Sequence, residues 1–329
     1  VGPWPLAFRL ERVNPGWDNW PSNFPSPIDP GDAMTFQTGD AEVDATLNRA
    51  LAASHALDVA DGIGTLHLRH WPGPIGAERL LLFHGGSGSW LHWIKNVEVL
   101  SGQYDVWTLD LPALGWSTDQ DKPYEVSLAV ERILSVMKAQ PALQSVHLVA
   151  FSWGCVAASL IAARKKDWVK SIFLVGPASL GVRKRPAERL PLIRRHRGMS
   201  REEVLSAQRQ NLELLMISRP ERVDACAVHI QDINHQMARF NSAQYYASTL
   251  VIDQIGHIDR PLSVIYGDQD APALPDIEGI GQEMRMQNPA MRFVIVPDCG
   301  HWLQYEQPEV FHRYLSLHLS STDTAAGIS

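Results

Sequence analysis

The feature that most constrains this chain is an apolar run that ends in a serine between small residues. Residues 146–151 are followed by Ser152, Trp153 and Gly154, and this pattern predicts a buried strand that turns sharply into a helix. In such a turn the serine holds strained backbone angles, so the residues two before and two after it must be small. Ala150 and Gly154 meet that need, although Ala150 replaces the first glycine of the usual G-x-S-x-G pattern. Ser152 is therefore a candidate nucleophile, but taken alone the motif fits a purely structural turn equally well.

A glycine-rich loop follows an apolar strand predicted over residues 79–83. The loop reads His-Gly-Gly-Ser-Gly-Ser-Trp over residues 84–90, and it leaves backbone N–H groups free to face a developing negative charge. The N–H of Gly86, with that of Trp153, is predicted to form an oxyanion hole. A flexible turn is the alternative. A phosphate loop is disfavoured because no Lys-Ser/Thr pair follows and the glycines lack the dinucleotide-site spacing.

Two later strands end in residues that could complete a catalytic triad with Ser152. A buried strand at residues 262–266 runs into a loop that contains Asp268 and Asp270, and the strand at 292–296 is followed by a loop that contains His301. The order Ser152, Asp270, His301 is one of the chain orders used by serine hydrolases. Asp270 is the predicted acid and Asp268 its rival. These segments together favour a catalytic histidine over a lone structural one.

With these segments in place, the chain resembles the α/β-hydrolases, and it is most similar to the serine hydrolases that include the meta-cleavage-product (carbon–carbon) hydrolases. The matching segments are His84-Gly85-Gly86, residues 110–117, Ser152, Asp270 and Gly300-His301-Trp302, which together span roughly residues 54–319. The resemblance implies an α/β-hydrolase fold: a mostly parallel central sheet flanked by helices, with a helical lid inserted after the strand that follows the nucleophile helix. Gln304 and Glu306, which follow the histidine, favour the resemblance to the carbon–carbon hydrolases.

Several departures from that group concern the substrate. The carbon–carbon hydrolases carry Asn before the nucleophile, where this chain has Phe151, and a second Asn where it has His92. Their cap supplies an Arg for the substrate carboxylate, and residues 229–231 near that place read His-Ile-Gln. Ala113 also replaces a common glycine. The triad is therefore better supported by the sequence than the substrate is.

The strand and helix patterns divide the chain into four parts. These are a Trp/Pro-rich extension over residues 1–53, an α/β-hydrolase core over 54–176 and 260–319, a helical lid over 177–259 and a tail over 320–329. The extension carries Trp4, Trp17 and Trp20, and since disordered segments are usually aromatic-poor, it is predicted to wrap on the core or on a neighbouring subunit. A short helix is predicted near residues 41–53. Strands are predicted at 55–59, 65–69, 79–83, 106–109, 146–151, 171–175, 262–266 and 292–296, with helices at 125–138 and 153–165 that imply right-handed crossovers.

Within the predicted lid, Ser200 and Glu203 form a capping box that opens a helix. Its apolar stripe includes Leu212 and Met216, which could face the pocket or simply pack against a second helix. Near the triad, His92 could contact the leaving group or be structural, and Phe151 and Trp302 could wall the acyl pocket or only shield the histidine. The substrate-binding candidates are thus His92, Phe151, Trp302, Leu212 and Met216.

Charge and composition exclude several classes of function. The formal net charge is −7 over 329 residues and is not arranged in long runs, so neither nucleic acid nor a membrane is an expected partner. The basic cluster at residues 183–197 is read as a solvated surface, with an acidic docking partner as the alternative. Three cysteines without C-x-x-C spacing predict neither a disulfide framework nor a zinc site, and no metal or organic cofactor is expected. A cytoplasmic location is predicted; a removed secretory signal and homo-oligomerisation stay open.

The function favoured by these features is hydrolysis of a carboxylic ester, thioester or lactone of a mid-sized, largely apolar small molecule through an acyl-enzyme. The first alternative is a carbon–carbon hydrolase of a vinylogous diketone acid, which would need a cationic group in the lid. The second is a non-catalytic binding protein on the same fold. Enzymes of this fold that use an aspartate nucleophile are disfavoured by Ser152.

Overall fold

The computed structural model describes residues 28–29, 34–120, 122–181 and 191–326. The strands in these ranges are β1 (Ile28–Asp29), β2 (Thr35–Phe36), β3 (His55–Ala60), β4 (Thr65–Trp71), β5 (Arg79–Phe83), β6 (Asp105–Leu109), β7 (Val146–Phe151), β8 (Val169–Val175), β9 (Leu262–Gly267) and β10 (Arg292–Val296). The helices are α1 (Ala41–Ala52), α2 (Val97–Ser101), α3 (Val126–Ala139), α4 (Gly154–Arg164), α5 (Arg201–Leu215), α6 (Ala225–Met237), α7 (Ile252–Ile255), α8 (Ile277–Gln287), α9 (Leu303–Glu306) and α10 (Pro308–Ala326). All eight predicted core strands are present, and three of them, β5, β7 and β10, have the predicted bounds.

Eight of the strands form one sheet in the order β10-β9-β8-β7-β5-β6-β4-β3. Every pair from β10 to β6 is parallel, whereas β4 runs antiparallel to both β6 and β3. The predicted fold class, a mostly parallel sheet flanked by helices, is therefore confirmed. The carboxyl ends of the parallel strands lie at one edge, where ligands bind in sheets of this kind.

The central strands are apolar because helices cover both faces of the sheet. All six residues of β7 are buried, and successive residues of β5 belong to two different hydrophobic clusters. Leu81 belongs to the cluster that includes Ile133 of α3 and Ile161 of α4, whereas Leu82 belongs to the cluster that includes Phe311 of α10. Burial on both faces produces continuous apolar runs rather than alternation.

Residues 177–259, which we call the helical insertion, leave the sheet after β8 and return at β9. Their described part, 177–181 and 191–259, contains α5, α6 and α7 and no strand. The predicted capping box of Ser200 and Glu203 is present at the start of α5. Asp224 caps α6 by accepting from Ala227 N–H. Whether the insertion works as a lid stays a prediction.

The described part of the N-terminal extension packs on the core of its own chain. The helix predicted near residues 41–53 is α1, and its Leu47 is fully buried. Phe36 of β2 is also buried, with its ring 6.2 Å from those of Trp90 and Trp116. Trp4, Trp17 and Trp20 lie outside the described residues.

The chain's last helix is longer than the sequence boundaries suggested. α10 continues to Ala326 and so covers most of the range predicted as a tail. From Glu309 to Ala326 the sequence contains neither glycine nor proline, so nothing in the backbone chemistry ends the helix earlier. No helix in the described ranges is long and apolar enough to cross a bilayer.

Candidate active site

The turn between β7 and α4 has the strained geometry that the sequence predicted. Ser152 has φ 51°, a left-handed conformation that is uncommon for residues other than glycine. A Cβ atom on Gly154 would lie 2.5 Å from the carbonyl oxygen of His84 and 2.7 Å from that of Phe83. Glycine is required there because α4 passes directly against the end of β5. The strain and the close packing together hold Ser152 at the carboxyl edge of the sheet.

Ser152, His301 and Asp270 form a continuous hydrogen-bonded line. His301 Nε2 lies 2.9 Å from Ser152 Oγ, and His301 Nδ1 lies 2.8 Å from Asp270 Oδ2. His301 and Asp270 are buried, whereas Ser152 is half-buried. A carboxylate against Nδ1 favours the tautomer that carries the proton there, which leaves Nε2 free to accept from the serine hydroxyl.

The geometry brings Asp270, not Asp268, to the histidine. Asp270 lies three residues beyond the end of β9, and its Oδ1 accepts from Ala273 N–H at 3.2 Å. Asp268 is exposed and accepts from Cys299 N–H at 3.3 Å. Asp268 therefore stabilises the loop that carries His301, while Asp270 contacts the imidazole itself.

Gly176, the last residue before the helical insertion, makes room for the Asp270–His301 pair. It has φ 51°, and a Cβ atom on it would lie 2.9 Å from Asp270 Oδ2 and 3.0 Å from His301 Nδ1. Any larger residue would be strained and would crowd the hydrogen bond between the two side chains.

Two backbone N–H groups beside Ser152 have no acceptor within the described ranges: those of Gly86 and Trp153. The loop that carries Gly86 packs closely against Ser152, because a Cβ atom on Gly85 would lie 3.2 Å from Ser152 Cβ. A Cβ atom on Gly86 would lie 3.7 Å from Trp153 Cβ. The two predicted oxyanion donors are thus neighbours in space and available to an incoming oxygen.

His92 is buried beside this loop in a fixed protonation state. Gly85 N–H donates to His92 Nδ1 at 3.2 Å, so the ring proton must be on Nε2. Burial lowers the pKa of His92 well below its ordinary value, and the ring is therefore neutral. Its Nε2–H is buried and has no acceptor among the residues that the structure describes.

The other predicted substrate contacts are mostly buried in the walls of the site. The Phe151 ring lies 4.9 Å from that of His301, and Trp302 Nε1–H donates to the carbonyl oxygen of His92 at 3.0 Å. Both aromatic residues, like Leu212, are fully buried, and Met216 is 8% exposed. These positions shield the histidine and join the insertion to the core, and their contact with substrate stays a prediction.

Glu306 ties the insertion to the loop that carries His301, a role that the sequence did not reveal. Its side chain is fully buried and accepts from Gly300 N–H at 2.8 Å, from Ser218 N–H at 3.1 Å and from Ser218 Oγ–H at 2.7 Å. Arg222 also contacts it at 3.3 Å. In the sequence, Glu306 indicates only the resemblance to the carbon–carbon hydrolases. Its partner Ser218 lies 88 positions earlier in the chain, so no local pattern connects the two residues.

Helix α6 contains residues 229–231, near which the resemblance to the carbon–carbon hydrolases implies an arginine, and it carries a row of polar side chains. Asp232 is fully buried, lies 3.1 Å from Arg195 and also pairs with Arg201. Asn234 Oδ1 accepts from Ser89 Oγ–H at 2.6 Å. Burial lowers the pKa of His235 to about 4. The positive charge in this region therefore comes from the two arginines.

The described part of the site offers neither a group of metal ligands nor a reactive thiol. Within the described ranges no group of three or more His, Cys, Asp or Glu side chains could hold a metal ion. Burial raises the pKa of Cys155 well above its ordinary value and raises that of Cys299 as well. Both thiols therefore stay protonated and are poor nucleophiles.

Comparison with known proteins gives three kinds of match. Residues 78–308 match the family model described as alpha/beta hydrolase fold. A 2-hydroxy-6-oxononadienedioate/2-hydroxy-6-oxononatrienedioate hydrolase of Paraburkholderia xenovorans is 25% identical over 281 residues, 80% of this chain and 93% of the relative. Two solved structures share the fold. Naproxen esterase of Bacillus subtilis has a TM-score of 0.66 at 16% identity, covering 84% of this chain and 96% of the neighbour. The enol-lactonase of Burkholderia xenovorans LB400 has a TM-score of 0.62 at 19% identity, covering 80% of this chain and 100% of the lactonase chain.

Proposed function

The chain belongs to the α/β hydrolase fold family, and from that premise we propose that it is a serine hydrolase that cleaves a carboxylic ester, thioester or lactone. The observation that carries the proposal is the line from Ser152 Oγ through His301 to Asp270, with distances of 2.9 and 2.8 Å. Such a line lets the hydroxyl lose its proton as the oxygen attacks a carbonyl carbon.

In the proposed acylation step, Ser152 Oγ attacks the carbonyl carbon and His301 Nε2 accepts the hydroxyl proton. Asp270 holds the imidazole in the useful tautomer and stabilises its positive form. The N–H groups of Gly86 and Trp153 donate to the oxyanion of the tetrahedral intermediate, each contributing about 3 kcal/mol in comparable hydrolases. The proton on Nε2 then passes to the departing alcohol, thiol or ring oxygen. In deacylation, His301 deprotonates a water molecule that releases the acid.

The surroundings of the site favour a mid-sized and largely apolar substrate. Phe151 packs on the His301 ring, and the Trp153 ring lies 5.3 Å from Phe240 and 5.4 Å from Tyr245. The neutral His92 adds one N–H donor suited to a carbonyl or ether oxygen rather than a second charge. Aromatic walls with few polar groups are typical of pockets for apolar ligands.

Carbon–carbon cleavage is the second candidate, and one feature of the insertion favours it. Arg195 and Arg201 both pair with the carboxylate of Asp232 in the insertion, and guanidinium groups of this kind bind carboxylates well. The relative at 25% identity is named as a dienedioate hydrolase. Non-catalytic binding is less well supported, because a fixed hydrogen-bonded line and two available N–H donors have no purpose in it.

Labelling with a fluorophosphonate probe tests the proposal. We expect one adduct per chain by intact mass, located on the Ser152 peptide, and no adduct on the Ser152→Ala variant. Turnover of p-nitrophenyl butyrate should then exceed that of a ring-fission dienoate. An unlabelled protein, or a label elsewhere, would refute the enzymatic proposal, and fast dienoate hydrolysis with slow ester cleavage would reverse the order of the two candidates.

A further inference from the structure

We propose that Ser242, from the helical insertion, supplies a third hydrogen-bond donor to the oxyanion hole. This inference rests on the proposed function, since it concerns how the same site stabilises its intermediate. Ser242 opens a short 3₁₀ turn, Ser242–Tyr245, that lies far from the glycine loop in sequence. No sequence motif marks it.

The position of the hydroxyl carries the inference. A Cβ atom built on Gly86 would lie 2.1 Å from Ser242 Oγ and 3.2 Å from Ser242 Cβ. Because a Cα–Cβ bond is about 1.5 Å long, the hydroxyl oxygen is within about 3.6 Å of Gly86 Cα. The same Cβ atom would lie 3.7 Å from Trp153 Cβ. The hydroxyl thus lies against the residue that supplies one oxyanion donor and close to the residue that supplies the other.

Aromatic contacts hold the Ser242 turn in this place. The Trp153 ring packs against both Phe240 and Tyr245, at 5.3 and 5.4 Å, and these two residues flank Ser242 in the chain. Tyr124 stacks on Phe240 at 3.7 Å, and its carbonyl oxygen accepts from Tyr245 Oη–H at 2.6 Å. The ring of one oxyanion residue therefore anchors the segment that brings the third hydroxyl, which is the preorganisation that electrostatic catalysis needs.

The hydroxyl is available for this role. Ser242 is half-buried, and its Oγ makes no hydrogen bond with any residue in the described ranges. A serine hydroxyl has one proton to donate, and no acceptor in those ranges competes for it. A hydroxyl beside the residues that carry these two N–H groups can donate to a negatively charged oxygen that binds between them. The donation would therefore be made in the tetrahedral state rather than with the free enzyme, and interactions of that kind raise kcat.

The test compares Ser242→Ala with Ser248→Ala in the full chain, using p-nitrophenyl acetate and butyrate as substrates. Ser248 lies on the same segment and donates to the carbonyl oxygen of Tyr245 at 2.7 Å, so it is a matched control outside the site. We expect Ser242→Ala to lower kcat by about 10- to 100-fold with KM within about twofold, less than the loss of a full oxyanion donor. Ser248→Ala should keep kcat within about twofold of the parent. Thermal unfolding of both variants checks that the fold is kept.

A trifluoromethyl ketone supplies the second measurement, because its adduct with the nucleophile carries the oxyanion. Its affinity should weaken in Ser242→Ala by the same factor as kcat, and Ser242→Thr, which keeps a hydroxyl, should recover part of both. An unchanged or increased kcat, which a merely steric role would give, overturns the inference, as does an equal loss in Ser248→Ala. If the parent protein labels at Ser152 and turns over ester, such a result leaves the proposed function standing. If the parent protein neither labels at Ser152 nor turns over ester, both the role of Ser242 and the proposed function are refuted.

Discussion

Glu306 should be essential for holding the histidine loop against the helical insertion, and its removal has a cost that follows from the donors it satisfies. Replacement by alanine leaves Gly300 N–H and Ser218 N–H without an acceptor in a buried place, at about 1–3 kcal/mol each. The contact with Arg222 is partly exposed and adds little. We therefore expect Glu306→Ala to lower the free energy of unfolding by about 4 kcal/mol.

Glutamine at the same position should cost much less. Its carbonyl oxygen can take the place of Oε2 and keep both backbone hydrogen bonds, while its amide replaces Oε1 and Ser218 Oγ turns to accept. Only the charge on the acceptor and the arginine contact are lost, so we expect Glu306→Gln to cost about 1–2 kcal/mol. Glu309→Gln removes the same charge at an exposed position of α10 and is the matched control.

Urea unfolding of the four proteins measures these costs, and ester turnover measures the effect on the site. Because Gly300 directly precedes His301, we expect kcat to fall in the order Glu309→Gln, Glu306→Gln, Glu306→Ala, with the alanine variant most affected. Equal stabilities for the glutamine and alanine variants, or an alanine variant within about 1 kcal/mol of the parent, would refute the account of Glu306 as a buried acceptor.

Two further predictions concern acids and histidines. Asp270→Asn should lower kcat by about 10⁴-fold, as loss of the orienting carboxylate does in comparable hydrolases, whereas Asp268→Asn should lower kcat far less. Steady-state kinetics of ester hydrolysis measure both effects. A larger loss of kcat in Asp268→Asn would contradict the assignment of Asp270 as the acid. Burial lowers the pKa of His318, which contacts Ser263 and Ser171 at 2.8 and 2.9 Å, to about 3. As pH falls, the unfolded chain binds a proton on His318 and the folded chain does not. The contribution of His318 to the free energy of unfolding is therefore complete above pH 6.5 and is lost as pH falls, by at most about 1.4 kcal/mol per pH unit. Urea midpoints between pH 7 and pH 4 should therefore fall less steeply in His318→Gln than in the parent, and parallel curves would count against this reasoning.

Much of the fold could be predicted from the sequence because its strongest signals are local. The apolar runs of β5 and β7 are bounded by loop residues, so their ends were predicted to the residue. β8 begins at Val169 rather than at Ser171, because the exposed Lys170 interrupts the apolar run without ending the strand. The resemblance to the α/β-hydrolases is confirmed by the match over residues 78–308.

The parts that sequence reasoning missed depend on contacts between distant segments. Ser218 and Arg222, two partners of Glu306, lie between α5 and α6, and Ser242 reaches Gly86 only after the insertion has folded back on the sheet. No spacing or periodicity carries that information. The direction of a side chain in the helical insertion is likewise set by packing, which is why Leu212, fully buried among apolar neighbours, could not be distinguished from a pocket residue.

The glycine at position 176 has a consequence for recombining this protein with its relatives. It stands at the junction where the chain leaves the core, and its missing side chain is the space that the acid–histidine pair occupies. A chimera that imports a foreign insertion keeps the contact between Asp270 and His301 only if the graft begins after this position. Splicing one residue earlier, with any other amino acid at the join, would crowd that contact, and under the proposed function the chimera would lose activity whatever insertion it carries.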